Sequence, residues 1–360
     1  MNLPRENRSA VPAALGYHMP AEWERHEATW LGWPHHPTDW PGKLEAAQWA
    51  YGEMIRKLAV EEKVRIAVQD AAMQKRALRF IRSTDANLAN VEFFKIPTNR
   101  GWMRDSGPIF VVRKRKPAAR AIVHFHFNAW AKYHDWRFDR RVPEHVAAKL
   151  GVKLFDAQLG GRRVVLEGGA IDVNGRGTLI TTEECLLDQR KQVRNPGMPR
   201  KDVENVLAEY LGARNVIWLG WGIAGDDTHG HVDDLCRFVN PRTLVLCGEK
   251  NRSDLNYRVL AENRERLQNA RLEDGSKPEV VMLPMPSPVV FKGTRLPASY
   301  ANFYISNAAV LVPTFNDPAD RVALGILGEL FKDRPVVGIH AVDLVLGLGT
   351  IHCLTQQQPG

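Results

Sequence analysis

Four hairpin-like passages recur along this chain at nearly even spacing. Their turns fall around residues 115, 174, 240 and 307. Each opens on a small or polar cluster, enters an apolar strand, turns and runs back. The openings read RDSGPIFVV, LEGGAIDV, GHVDDLCRFV and SYANFYISNA. A single hairpin cannot bury its apolar face alone. A period of roughly 60 to 67 residues therefore implies units stacked around an axis or along a line.

The intervening chain fits that reading. Strand-like runs are Val64–Val68, Ile109–Val112, Ala121–Phe127, Gly169–Val173, Thr178–Thr182, Leu235–Val239, Thr243–Cys247, Phe303–Ile305, Ala309–Pro313 and Val336–His340. Apolar residues spaced by three and four predict helices over Leu44–Ala59, Ala71–Ser83, Arg200–Leu211, Asp254–Asn269 and Asp317–Leu330. Asn174-Gly175, Asn240-Pro241 and Ser306-Asn307 mark turns. No long linker or low-complexity stretch divides the chain, so one domain over 1–360 is expected. The tail Thr355–Gly360 is polar, but it follows Cys353 directly and should not be dismissed as loose.

Reactive side chains fall at the hairpin openings. Asp105, Glu167, His231 with Asp233, and Cys353 all lie just before a strand, at multiples of about one period. Units ringing an axis would bring them together at one end of a central channel, where rigid scaffolds commonly carry sites.

Cys353 sits in GLGTIHCLTQQ, where Gly347 and Gly349 permit close backbone approach and polar neighbours suggest a wet pocket. A thiolate there could attack an electrophilic carbon. Cys236 and Cys247 lie in apolar surroundings and read as structural, and Cys185 has no distinguishing feature. His231 and Asp233 lie in GDDTHGHVDD. In an extended strand His229 and His231 share one face, so the stretch reads as a metal site or as an acid/base histidine beside a cation-binding carboxylate. Glu167 follows an apolar run and must find a partner if buried. Asp105 is flanked by Trp102 and Arg104, and a plain salt bridge to Arg104 is the simpler reading. The stretch EWERHEATWLGWPHHPTDW holds Trp23, Trp30, Trp33 and Trp40, whose faces could cover a cation or serve only as core.

Composition narrows the class. Hydrophobic residues make up 44% and charged residues 25%, which excludes a disordered chain or a collagen. Four cysteines without a CxxC pair do not make a disulfide scaffold, and a thiol-reducing, cytoplasmic setting is the default. Met1–Glu6 lacks an apolar signal core, and no run of eighteen apolar residues predicts a membrane span. The formal charge of +8 hints at an acidic partner. A nucleic-acid binder, however, needs clustered Lys/Arg with stacking aromatics. The basic residues here are dispersed, and the run Arg113–Lys116 reads as a solvated hairpin tip. Neither GxGxxG nor GxxxxGK[ST] occurs.

Seven segments in order, MPAEWERHEATWLGWP, WMRDSGP, FNAWAKY, LEGGAIDVNGRGTLITTEECLL, DTHGHVDDLCRFV, LPASYANFYI and GTIHCLTQQQP, resemble the agmatine deiminase family. That family is a branch of the guanidine-modifying (pentein) superfamily that also includes bacterial peptidylarginine deiminase-like proteins. The resemblance covers nearly the whole chain. It implies an α/β fold, a five-bladed propeller of ββαβ units around a central channel. The fifth unit would combine Ala28–Pro34 with Val336–Leu354. It also implies hydrolysis of a guanidinium, agmatine plus water giving N-carbamoylputrescine and ammonia, with arginine or peptidylarginine as alternative substrates. Cys353 would be the nucleophile, His231 the acid/base and Glu167 its orienting carboxylate. Asp105 and Asp233 would grip the guanidinium, with Trp102 and Trp33 beside it. No metal or organic cofactor is implied. The implied partner is a small cationic guanidine, not nucleic acid or membrane, and homo-oligomerisation is left open. Four departures from the family pattern touch the pocket: Leu348 replaces a glycine, Met103 an alanine, Asp234 an asparagine and Arg237 a cysteine. Ala131 also stands where the family carries glycine.

Overall fold

Four sheets repeat one pattern among the described residues, an antiparallel hairpin, a helix, and a third strand returning parallel to the hairpin's second strand; a four-stranded sheet varies it, its antiparallel pair formed by strands far apart in sequence. The structure, a computed structural model, describes residues 11–115 and 118–360. The expectations for Met1–Glu6 and for Lys116 at the hairpin tip lie outside them.

In the first sheet β1 (His26–Gly32) runs parallel to β2 (Lys63–Val68), and β2 parallel to β3 (Val91–Lys95). Helices α1 (Leu44–Leu58) and α2 (Ala71–Arg82) make the crossovers. The second holds the hairpin β4 (Ile109–Arg113) and β5 (Ala119–His124), then α3 (Val142–Leu150) and β6 (Lys153–Asp156). The third holds β7 (Asp172–Val173), β8 (Thr178–Thr182), α4 (Arg200–Leu211) and β9 (Asn215–Leu219). The fourth holds β10 (Cys236–Phe238), β11 (Thr243–Gly248), α5 (Leu255–Gln268) and β12 (Glu279–Pro284). The fifth holds β13 (Tyr304–Ile305), β14 (Val310–Thr314), α6 (Pro318–Leu330) and β15 (Val336–His340). Finally β16 (Thr355–Pro359) pairs antiparallel with β1 and completes the first sheet.

Local chemistry sets the helix ends. Asp70, Asp254 and Asp317 accept backbone N–H groups at the starts of α2, α5 and α6, and Asp317 forms a reciprocal capping box with Asp320. Helix α1 turns Ala47, Tyr51, Met54, Ile55 and Leu58 inward, a three-and-four spacing that buries one face. Among the described residues no helix is long and apolar enough to cross a membrane.

One boundary differs from expectation. The strand completing the first sheet is β16, whereas Val336–His340 belongs beside β14. Thr-Gln-Gln-Gln-Pro has no apolar alternation to announce a strand. It is nevertheless buried, with most of its amide oxygens paired and Gln356 Oε1 and Gln358 Nε2 left without a partner. Gln358 accepts from Trp30 Nε1 (2.8 Å) and Arg65 Nη1 (2.6 Å), and Gln357 accepts from Arg104 Nη1 (2.7 Å).

Candidate active site

The same local device precedes the leading strand of every sheet. A single helical turn, or a bend of similar length, ends an apolar or glycine-containing stretch and points polar side chains inward. Met103–Ser106 carries Asp105 before β4, and Glu167 stands at the head of the Gly168–Ala170 turn before β7. Val232–Asp234 carries Asp233 before β10, with His231 at its head. Ser299–Asn302 leads into β13 and supplies Asn302, and Ile351–Leu354 carries Cys353 before β16. These side chains converge, and nearly all are fully buried.

Cys353 Sγ accepts from Asn302 Nδ2 at 3.1 Å and lies 3.7 Å from Asp233 Oδ2. Burial, then Asp233, Asp234 and Asp105, pushes its thiol well above the ordinary range. Asp105 accepts from Trp130 Nε1 (2.9 Å) and from the Gly169 amide (3.2 Å). Burial lifts this carboxyl to about 6. Asp233 and Glu167 add to the shift, and His231 opposes it. Burial also works against ionising Glu167, but Arg194 (Nε–Oε1 3.1 Å) and His231 outweigh it and bring the carboxyl down to about 2. The His231 ring lies between these carboxylates, with Nδ1 3.7 Å from Asp105 Oδ1 and Nε2 3.7 Å from Glu167 Oε2. Burial disfavours its charged form, yet Asp105, Cys185 and Glu167 hold it well above the usual histidine range. Neither ring nitrogen has a hydrogen-bond partner.

A cavity of about 210 Å³ opens onto Asp105 and Cys353. Its walls include Trp102, Trp130, Tyr133 and Leu348, and Asp39, Arg100 and Asp227 also line it. Trp102 stacks on Trp40 with ring centres 5.3 Å apart and donates to Asp39 at 3.0 Å. Gly347 and Gly349 let these rings approach. A Cβ on Gly349 would stand 2.8 Å from the Trp102 ring and 3.0 Å from Cys353 Cβ.

Several expectations change. Trp33 does not line the cavity; it packs between Tyr51 and Phe80 in the core, because its ring is apolar and both rings are within contact of it. His229 and His231 do not share a face. His229 has a left-handed backbone (φ 66°) and pairs with Asp188 and Glu184, so the segment is a loop and not a strand. Arg104 does not neutralise Asp105; it pairs with Glu22. Arg237 lies outside the cavity, bound to Glu22 and Asp172. Met103 is fully buried under the turn, and Asp234 accepts from Asn302 at 3.0 Å. Cys185 is not isolated in apolar core, since its sulfur lies within 4.8 Å of donor atoms of Glu167 and His231.

Arg194, Asn302, Trp130 and Gly169 escaped the sequence reading as site residues. Asn302 had a signal, because it occupies the fifth sheet's copy of the position that carries Asp105 and Asp233 elsewhere. Arg194, in the loop DQRKQVRNP, had none.

The loop carrying Trp130 is strained. Ala129, Trp130 and Ala131 all have positive φ, at 51°, 57° and 52°. Ala131→Gly should therefore stabilise the fold by roughly 0.5–1 kcal/mol, read as a higher midpoint in denaturant. Leu348, with φ 70°, has the same geometry in the cavity wall.

Comparison with known proteins gives the same picture. The sequence profile of the Porphyromonas-type peptidyl-arginine deiminase family matches residues 18–359. The agmatine deiminase of Ectopseudomonas mendocina (strain ymp) is 36% identical, the alignment covering 98% of each chain. The solved agmatine deiminase of Enterococcus faecalis superposes with a TM-score of 0.88 at 29% identity, covering 98% of both chains. That of C. jejuni gives 0.79 at 28% identity over 96% of both. Matches of this length and identity show that the chain is a member of the Porphyromonas-type peptidyl-arginine deiminase family.

Proposed function

We propose that this protein hydrolyses agmatine to N-carbamoylputrescine and ammonia through a covalent Cys353 intermediate. The observation that carries the reading is the ring of buried carboxylates, Asp105, Glu167, Asp233 and Asp234, around one thiol and one histidine. Such a pocket is unfavourable when empty and is relieved by a planar cation. The overall +8 therefore describes the surface, and the site inverts it. The five ββαβ sheets, with β16 pairing on β1, support one five-bladed propeller domain around a central channel.

Asp105 and Asp233 grip the guanidinium nitrogens and orient its carbon toward Sγ. The arriving cation offsets the carboxylates that keep the thiol protonated, so Cys353 releases its proton to water in the cavity and attacks as thiolate. Addition of thiolate to guanidinium gives a neutral tetrahedral adduct. His231, charged at rest, protonates the departing nitrogen, and ammonia leaves behind an S-alkylthiouronium. The now neutral His231 takes a proton from water and hydroxide adds to the same carbon; the adduct then expels the thiolate, its hydroxyl proton returns to that sulfur, and the neutral carbamoyl product leaves. Glu167, itself fixed by Arg194, orients His231.

The rim favours agmatine over a carboxylated substrate. Arg104, Arg237 and Arg295 are all paired with carboxylates outside the cavity. Arg100 does reach the wall, but Asp39 and Asp135 neutralise it and its guanidinium lies over the Tyr133 ring. Aromatic rings, Thr38, Thr228, Leu346, Gly347 and Leu348 supply most of the remaining surface, together with Asp227, which Lys132 pairs. Ammonia release from agmatine, arginine and a blocked arginyl peptide, compared at equal concentration, is the test. Preference for the peptide or for arginine would overturn the agmatine assignment.

One pH effect follows. Asp105 must be ionised to grip a cation, and its carboxyl is raised to about 6. The kcat/KM for agmatine should fall as pH drops through about 6, with a slope of one proton. A flat profile between pH 5 and 7 would remove Asp105 from the grip.

A further inference from the structure

The guanidinium grip has a rear anchor that the reaction scheme does not use. His352 precedes the nucleophile on the turn Ile351–Leu354. Its ring lies between two carboxylates. Nδ1 stands 2.6 Å from Asp233 Oδ2, and Nε2 stands 2.9 Å from Glu22 Oε2. The ring is 2% exposed and the two carboxylate side chains 3% or less. Glu22 is in turn held by Arg104 Nη2 (3.0 Å), Arg237 Nη2 (3.0 Å) and the Ile305 amide (2.8 Å). A chain of polar contacts therefore runs from the buried Arg104 and Arg237 through Glu22 and His352 to Asp233.

The other end of Asp233 is different. Its Oδ1 is buried and has no hydrogen-bond partner. A fully buried carboxylate oxygen without a donor is costly, so a donor must arrive with the ligand. A carboxylate free to rotate would offer either oxygen, in any plane. One tied by Oδ2 has its plane fixed: Oδ2 stays 3.7 Å from Cys353 Sγ, and Oδ1 keeps a single direction for a donor.

We propose that His352 is a positioning residue for the guanidinium site, tethering Asp233 by Oδ2 so that the carboxylate plane is fixed beside Cys353 Sγ and Oδ1 is left to take a guanidinium donor. To serve Asp233 and Glu22 at once, the imidazole must donate from both nitrogens, which makes it a cation held by two anions. Asp233 also stays ionised against its burial, and His352 is the leading group that lowers its carboxyl. The proposal rests on the deiminase reading above and adds to it a residue that touches no substrate.

Two variants separate positioning from packing. The Nδ2 of an asparagine falls near the place of histidine Nδ1, whereas the Nε2 of a glutamine falls near that of Nε2. His352→Asn therefore keeps the bond to Asp233 and drops the one to Glu22; His352→Gln does the reverse. Losing a charged hydrogen bond of this kind should raise KM for agmatine roughly 10–100-fold in His352→Gln, with kcat changed less than about tenfold. His352→Asn should stay within about threefold of wild type in KM. Equal rises in both variants, or an unchanged KM in His352→Gln, would refute the tether. Wild-type enzyme that turns over no guanidine would instead refute the function and leave the ring geometry to be judged separately. That second measurement needs no turnover and no variant: nitrogen NMR of histidine-labelled wild-type protein should show both His352 ring nitrogens protonated. A ring carrying one proton overturns the proposal.

Discussion

Cys353→Ser is expected to abolish turnover, with at least about a 10⁴-fold loss of kcat, while the fold persists. The two side chains differ by one atom, and oxygen is the smaller, so packing imposes no clash. The backbone of the turn stays tied, because the amide of His352 donates to Asn302 Oδ1 at 3.1 Å whichever side chain follows it. What changes is the nucleophile. The carboxylates that already keep the thiol protonated would suppress a serine alkoxide far more strongly, since a hydroxyl starts from a much weaker acid. On the proposed reading, Asp105 and Asp233 remain in place to grip the guanidinium. The measurement is therefore double: ammonia release should vanish, and calorimetric binding of agmatine should remain. A serine variant with full activity would remove Cys353 from the chemistry.

Gly169→Ala should be nearly as damaging, although no reaction step involves residue 169. A Cβ there would stand 2.5 Å from His231 Nδ1, 2.8 Å from Asp105 Oδ1 and 3.1 Å from Asp233 Oδ2. Distances under 3 Å are not tolerated, and all three neighbours belong to the site. One methyl therefore displaces the acid/base ring and both ends of the grip together. Misplacement of about 1 Å costs on the order of 10²-fold in rate, so a loss of 10³-fold or more in kcat/KM is expected when three groups move. The Gly169 amide still donates to Asp105, and the backbone has ordinary φ, so circular dichroism should change little. Unaltered kinetics in this variant would mean that the observed packing is not that of the working enzyme.

How much of this was readable beforehand depends on the kind of signal each residue carries. The hairpins were legible because apolar strands and turn dipeptides recur at a near-constant interval, and the reactive residues stand in register with them. The third strands, β3, β6, β9 and β12, carried weaker local patterns, and pairing with a neighbour completes them. β16 was hidden entirely: its glutamines are buried by partners more than 200 residues away, which no local window detects. Trp33 misled for the opposite reason. A tryptophan among other tryptophans looks like a cation cover, and only packing against Tyr51 and Phe80 assigns it to the core. Arg194 and His352 could not be ranked among many basic residues, because their importance lies in which carboxylate each one faces.

The pairing of β16 with β1 also bears on how this protein is made. Trp30 and Gln358 are hydrogen-bonded across a separation of 328 residues. During synthesis β1 emerges long before β16, and its β16-facing edge stays unpaired until that strand follows. Cys353 arrives in the same final segment, only a few residues before β16. On the proposed reading, the nucleophile and the strand that completes the first sheet therefore arrive together, so site and sheet are finished in one step.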